Sequence, residues 1–241
     1  MQNEDTDGVH LPTVLRAWAQ RQSNLPKRIR TRHKLIAATA SVMEQCGYEG
    51  LTIEAIVKEA GVARGTFYLY FTDRSEAARI VMRAFAAMMR RYRPRGGGKL
   101  PAVQAIYRTN LFYIQSYALN SRLLAGRESL MRDCPQLVQS RDAINSHWAR
   151  IVLKDLYRRH GPTRTPADPL VQLAIRAVIA MADEFLREIY VYRSPSLVRL
   201  AQDPRQVAWA LTQVWHRAIF GCDPDDWDIT KGLPVSARTQ N

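Results

Sequence analysis

An all-α fold in two parts, a small N-terminal helical head and a larger helical body, is predicted by three observations. Apolar residues recur at helical spacing from about residue 31 to about residue 220, and no segment shows strand alternation bounded by turn signals. Two short helices joined by a glycine-containing turn follow one another between Thr52 and Tyr70. Finally, "RPRGGGKLP", residues 93–101, sets three glycines between prolines; it is the strongest breaker in the chain and predicts a flexible loop.

The elements follow in order. Residues 1–30 read as a flexible, basic N-terminal extension with room for a short helix around "TVLRAWAQ". Its end, "RQSNLPKRIRTRHK", carries Arg21, Lys27, Arg28, Arg30, Arg32 and Lys34 with no acid. A helix over residues 31–46 puts Leu35, Ile36, Thr39, Val42, Met43 and Cys46 on one stripe, and Gly47 stops it. Thr52 is placed to cap "IEAIVKEA", and Gly61 ends that helix. The next covers Arg64 to Tyr70, and another starts at Asp73, where Glu76 three residues on makes a capping-box-like start. Beyond the loop, helices are expected over 102–119, 122–131, 136–160, 167–192 and 204–220. The domains expected are thus the extension 1–30, a helix-turn-helix head 31–76, a helical body 77–222 and an irregular tail 223–241.

Composition narrows the function. With 35 Lys+Arg against 22 Asp+Glu, a formal net charge of +13, the chain suits a polyanionic partner. The start has neither a basic n-region nor a continuous apolar stretch, so it does not read as a signal peptide. "LVQLAIRAVIAMADEFL" is interrupted by Gln172, Arg176, Asp183 and Glu184, so no membrane span is expected. The expectation is a soluble, cytoplasmic protein. Cys46, Cys134 and Cys222 form no C-x-x-C pair, which points to scattered reduced thiols; no metal and no cofactor are expected. No G-x-S-x-G, HExxH or phosphate-binding glycine loop supports an enzyme, and no catalytic residue is assigned.

The stretch "GVARGTFYLYF", residues 61–71, sorts itself by helical geometry. Phe67 and Phe71 point the same way within about 40° and make a core face with Ile53, Ile56 and Val62. Gly65, Thr66, Tyr68 and Leu69 point away from it, and Tyr70 sits at its edge. In a helix-turn-helix the second helix enters the major groove, and each outward residue has a use there. Arg64 suits guanine or phosphate, Gly65 permits close approach, Thr66 offers a hydroxyl and a methyl, and Tyr68 and Tyr70 suit phosphate oxygens. Thr52 lies at a helix N-terminus where free N–H groups collect, and Arg74 adds a charge at the far end. Leu69 either touches a thymine methyl or covers the edge of the head.

"TRHKLIAATASVMEQCGYEGLTIEAIVKEAGVARGTFYLYFTDRSE", residues 31–76, closely resembles the DNA-binding domain of TetR-family transcriptional regulators. The resemblance implies a homodimer, a three-helix reading head, a connecting fourth helix and a larger domain that binds a small molecule. By position it makes Thr52, Arg64, Gly65, Thr66, Tyr68, Tyr70 and Arg74 the DNA contacts, with Arg74 standing where the family often has lysine. The long segment before residue 31 departs from most members. Lys27, Arg28 and Arg30 are either an arm reaching the adjacent minor groove or phosphates, or part of a tail that raises non-specific affinity.

In the body, stripes such as Val103, Ile106, Tyr107, Asn110, Ile114 and Tyr117, then Leu137, Ile144, Trp148 and Ile151, suit a core. An effector pocket among these helices would use Asn110, Tyr113, His147 and Trp148, where polar groups come near apolar ones. The resemblance implies that the last two long helices, 167–192 and 204–220, pair with their copies in a dimer. The function expected is a ligand-responsive, sequence-specific DNA-binding regulator, a repressor released from a palindromic double-stranded operator by a small apolar or amphipathic effector. An effector-independent DNA-binding protein and an all-α enzyme are the alternatives.

Overall fold

The computed structural model describes residues 8–21, 24–160 and 169–222, and every regular element among them is helical. The first two residues of the helix expected over 167–192 and the tail 223–241 lie outside the described residues. The chain forms two compact units: Val9–Tyr92 with Ser116–Ala143, and Arg93–Gln115 with the residues from Ile144 onward. These units divide the chain elsewhere than at residues 30 and 76, because segments distant in sequence complete each core.

The first unit is organised around α2 (Lys27–Cys46), which packs on α1 (Leu11–Arg21), α3 (Ile53–Ala60), α5 (Arg74–Tyr92) and α7 (Ser121–Ala125). Every residue from Leu35 to Met43 in α2 is buried, so this helix is surrounded on all faces. Its sequence permits that: Ala37, Ala38 and Ala40 let neighbours approach closely, and Thr39 satisfies its buried hydroxyl on the Leu35 carbonyl at 2.7 Å. Between α3 and α5 lies α4 (Arg64–Tyr68), and after α7 come α8 (Arg127–Asp133) and the start of α9 (Gln136–His160).

Three expectations are corrected in this unit. The helix expected from residue 31 begins four residues earlier, at Lys27 behind Pro26, so Lys27, Arg28 and Arg30 form the first turn of α2 and not a flexible arm or tail. The short helix allowed for around "TVLRAWAQ" is present as α1, but this part of the extension is packed and not flexible, burying Leu11, Pro12 and Leu15. Its entry is pinned by groups far along the chain. Asn120 accepts from the Leu11 N–H at 2.8 Å and donates to the Val9 carbonyl at 2.8 Å, while the Ser116 hydroxyl accepts from the Val9 N–H at 3.0 Å. Trp18 lies against His33 with ring centroids 4.1 Å apart and the rings tilted by 36°, and burial, with Arg32 adding to it, lowers the His33 pKa. Third, the helix expected over 122–131 is two, α7 and α8, broken at Gly126. A Cβ on Gly126 would lie 2.5 Å from that of Tyr48, so only glycine lets the chain pass.

The second unit contains most of α6 (Ala102–Leu119), the later part of α9, α10 (Pro169–Tyr190), the short α11 (Pro195–Leu200) and α12 (Pro204–Phe220). Ala149 and Leu156 of α9, Ile175 of α10 and Ile219 of α12 form a buried cluster, with Leu153, Val171, Ile179 and Trp215 packed against it. The glycine segment ends α5 as expected, but it is fastened and not flexible. Arg159 donates to the carbonyls of Gly97 at 3.1 Å and Leu100 at 2.9 Å. Burial pushes the Asp155 carboxyl up, yet hydrogen bonds from Arg158 at 2.5 Å and Arg159 at 2.7 Å outweigh it and hold the group below its usual range. No helix among the described residues is long and apolar enough to cross a membrane.

Candidate nucleic-acid interface

The interface is set by two helix ends and one turn. The Thr52 backbone is extended, and its hydroxyl accepts from the Ala55 N–H at 3.1 Å, capping α3 as its sequence position predicts. At the other end Gly61 adopts the left-handed conformation at φ 64°, donating to the Lys58 carbonyl at 3.2 Å while Val62 donates to Val57 at 3.0 Å. This paired closure reverses the chain within two residues and launches α4.

Phe67 and Phe71 are buried with ring centroids 5.4 Å apart, as the helical geometry requires. They fix α4 against the head, and the opposite face is left outward: Tyr68 is 49% and Leu69 72% exposed. A Cβ on Gly65 would meet nothing within 4 Å, so the surface there is open. Thr66 and Tyr70 are half-buried at its margins. Arg64 is exposed and carries an ion pair that sequence spacing does not announce. Its guanidinium bonds the Glu54 carboxylate of α3 and lies 3.5 Å from the Tyr68 hydroxyl.

Arg74 has a second task. Its Nη1 donates to the carbonyls of Leu51 at 2.8 Å and Glu49 at 3.3 Å, and its guanidinium lies 5.0 Å from the Tyr48 ring centroid. That fastens the loop before Thr52 to the start of α5. Tyr48 is buried and donates to Asp133 at 2.6 Å; burial, then the Asp133 bond, push its phenol well above its ordinary value. The capping pattern at residues 73–76 is reciprocal. Asp73 accepts from the Glu76 N–H at 2.8 Å, and the Glu76 carboxylate accepts from the Thr72 N–H at 2.8 Å, one residue before the partner expected for it. Lys27, Arg28 and Arg30 are exposed at the start of α2 with no acid in its first turn, which makes that helix end positive.

In the second unit Asn110 and Tyr113 share a face of α6. The Asn110 amide donates to Thr212 of α12 at 3.2 Å, and the Tyr113 hydroxyl donates to Asp183 of α10 at 3.2 Å. Sequence reading missed Asp183, Arg187, Thr212 and His216, all of which are buried. The signal was present: Asp183 and Arg187 interrupt an otherwise apolar helix, but Asp183 served above only to exclude a membrane span and Arg187 was not weighed. Trp148 lies elsewhere on α9, with the Arg93 guanidinium 5.9 Å from its ring centroid and the His147 ring beside it at 6.1 Å. An open groove of about 460 Å³ between α9 and α10 is lined by Arg150, Leu153, Lys154, Tyr157 and Gln172, none of them among the expected pocket residues.

Residues 35–76 match the family model of bacterial regulatory proteins of the tetR family. The chain carries the DNA-binding head of the TetR family. It is a DNA-binding transcription regulator and not an enzyme. Among solved structures, the fatty acid degradation regulator FadR from Bacillus halodurans is similar, with a TM-score of 0.53 and 17% identity over 79% of this chain and 95% of that one. At that identity the likeness establishes a shared fold. No curated protein matches the chain by sequence. Within the TetR-family head, α3 and α4 are the helix-turn-helix, and α1 and the segment 116–143 are additional packing around it.

Proposed function

We propose that the protein is a homodimeric repressor in the cytoplasm, holding a near-palindromic operator through α4 and released by a small molecule bound in the second unit. The observation that carries this reading is the division of α4, which ends at Tyr68 and not at Tyr70 as expected, and of the turn after it: Phe67 and Phe71 are spent on the core, while Arg64, Gly65, Thr66, Tyr68 and Leu69 are left for a groove. Thr52, Tyr70, Lys27, Arg28 and Arg30 are the phosphate contacts that flank it, and Arg74 keeps the Thr52 loop in register.

Dimerisation is supported by the outer faces of the last long helices. Leu173 and Met181 of α10 and Val214 of α12 are exposed apolar side chains at helical spacing, with Ala177, Ala210 and Ala218 between them. Two-fold pairing of these faces would set two heads at half-sites roughly 34 Å apart. The effector site is supported by the polar belt of Asn110, Tyr113, Asp183 and Thr212, which a ligand with hydrogen-bonding groups could enter by exchanging partners. Release works through differential affinity for two head spacings.

The test is a selection of the full-length protein against random double-stranded DNA, followed by a thermal-shift screen of small molecules. A palindromic sequence preference is expected; binding without any preference would sink the reading. Arg64→Ala is expected to cost about 1–3 kcal/mol of operator affinity and to relax one base preference, whereas a uniform loss across sequences would make Arg64 a phosphate contact.

A further inference from the structure

The Glu54–Arg64 pair stands on the outer surface of the head and contributes little to its fold. Its partners are 60% and 62% exposed, and exposed pairs of this kind contribute little, because water and salt screen them. The turn between α3 and α4 is already held by Gly61, Val62 and the buried Phe67. What the pair decides is where the guanidinium goes. An arginine on a flexible stem beside DNA is drawn to phosphate, the densest negative charge. A carboxylate on one edge of the guanidinium cancels that attraction and itself repels phosphate. The planar fork keeps further N–H donors for neutral acceptors.

We propose that Glu54 is a positioning residue that makes Arg64 a reader of guanine, so that each operator half-site carries a G·C pair facing this point. The proposal rests on α4 being the recognition helix. In the major groove guanine offers two adjacent acceptors, N7 and O6, and the paired cytosine offers the N4 donor. Arg64 and Glu54 together present donors beside an acceptor, the complement of that edge. An A·T pair places an amino group where O6 would be, against a donor of Arg64. Tyr68, 3.5 Å from the guanidinium on its other side, limits its swing along α4.

The experiment measures binding of the full-length protein to its selected operator and to single-base variants, for wild type, Glu54→Gln, Arg64→Ala and the double variant. Glu54→Gln is expected to lower discrimination about tenfold at one G·C pair, the pair that Arg64→Ala also relaxes, and the double variant is expected to lose no more. The freed Arg64 then takes up a phosphate, so affinity for random DNA rises and the plot of log affinity against log salt steepens by about 0.9. The melting temperature of the protein falls by no more than a few degrees. The proposal is overturned if Glu54→Gln keeps full discrimination, or weakens binding to all sequences alike. If wild type itself shows no base preference, the recognition-helix reading fails with it; if wild type and Arg64→Ala differ at one base pair while Glu54→Gln does not, only this proposal fails.

Discussion

The two units solve opposite problems with the same helical material. In the first, the large side chains Leu35, Met43, Ile56, Phe67 and Phe71 fill the interior, the polar residues buried with them, such as Thr39, Ser116 and Asn120, carry no charge, and the ionic chemistry stands outside on α3 and α4. In the second, beside the apolar cluster of Ala149, Leu156, Ile175 and Ile219, the ionisable Asp183, Arg187 and His216 are buried between helices together with Asn110 and Thr212. Burying an amide or an ion costs several kcal/mol unless its partners are in place, and such networks specify a unique packing only when they are complete. An apolar core holds a surface fixed, as a base-reading helix requires. A polar interior can exchange one set of hydrogen bonds for another, as a site that answers a ligand requires.

The difference can be broken most severely at Phe67. Truncation to alanine removes a fully buried ring and is expected to cost about 3–5 kcal/mol, a large part of the stability of a domain. Calorimetry should show the head melting separately and earlier, with operator binding lost. A single unshifted transition would show that α4 is not anchored by this ring. The next effect belongs to the other unit. Thr212→Val keeps the volume but removes the hydroxyl that accepts from Asn110 at 3.2 Å and donates to Ala208 at 2.6 Å. Leaving the Asn110 amide without that partner costs about 1–3 kcal/mol. Thermal stability and effector response should both change while base preference at the operator stays as in wild type; a changed preference would contradict the separation of tasks.

How much of this was legible in the sequence depends on the reach of each interaction. Thr52, Gly61 and the Phe67–Phe71 spacing act within one turn of the backbone, and they appear in the structure in the roles their positions predict. The order of α1 was hidden because its entry is satisfied by Ser116 and Asn120, more than a hundred positions away in the chain. The break at Gly126 was hidden for the same reason: it exists because Tyr48 passes within contact distance. Asn110 and Tyr113 were found as polar residues on an apolar stripe, but their partners Thr212 and Asp183 come from helices whose registers no local rule fixes. Glu54 was invisible as a functional residue because a glutamate in the first turn of a helix is ordinary there.

Two smaller effects sharpen the comparison within the head. Thr52→Ala removes the α3 cap and is expected to cost about 1 kcal/mol of stability. If the hydroxyl and the N–H groups around it also hold a phosphate, affinity should fall by a similar factor for operator and random DNA, a pattern opposite to that of Arg64→Ala.

The smallest effect is the response to acid at Asp73. Hydrogen bonds from the Ser75 hydroxyl at 2.6 Å and the Glu76 N–H at 2.8 Å hold its carboxyl below the usual range, since both stabilise the charged form. A carboxylate whose pKa is depressed on folding contributes its stabilisation above the unfolded value of about 3.9 and loses it as pH falls through the lower folded value. The melting-temperature difference between wild type and Asp73→Asn should therefore be constant above about pH 5 and shrink below pH 4. Asparagine is itself a good cap, so the difference is small at any pH. A difference that persists undiminished into acid would mean that the start of α5 is held by Arg74 on the Leu51 carbonyl and not by the charge of Asp73.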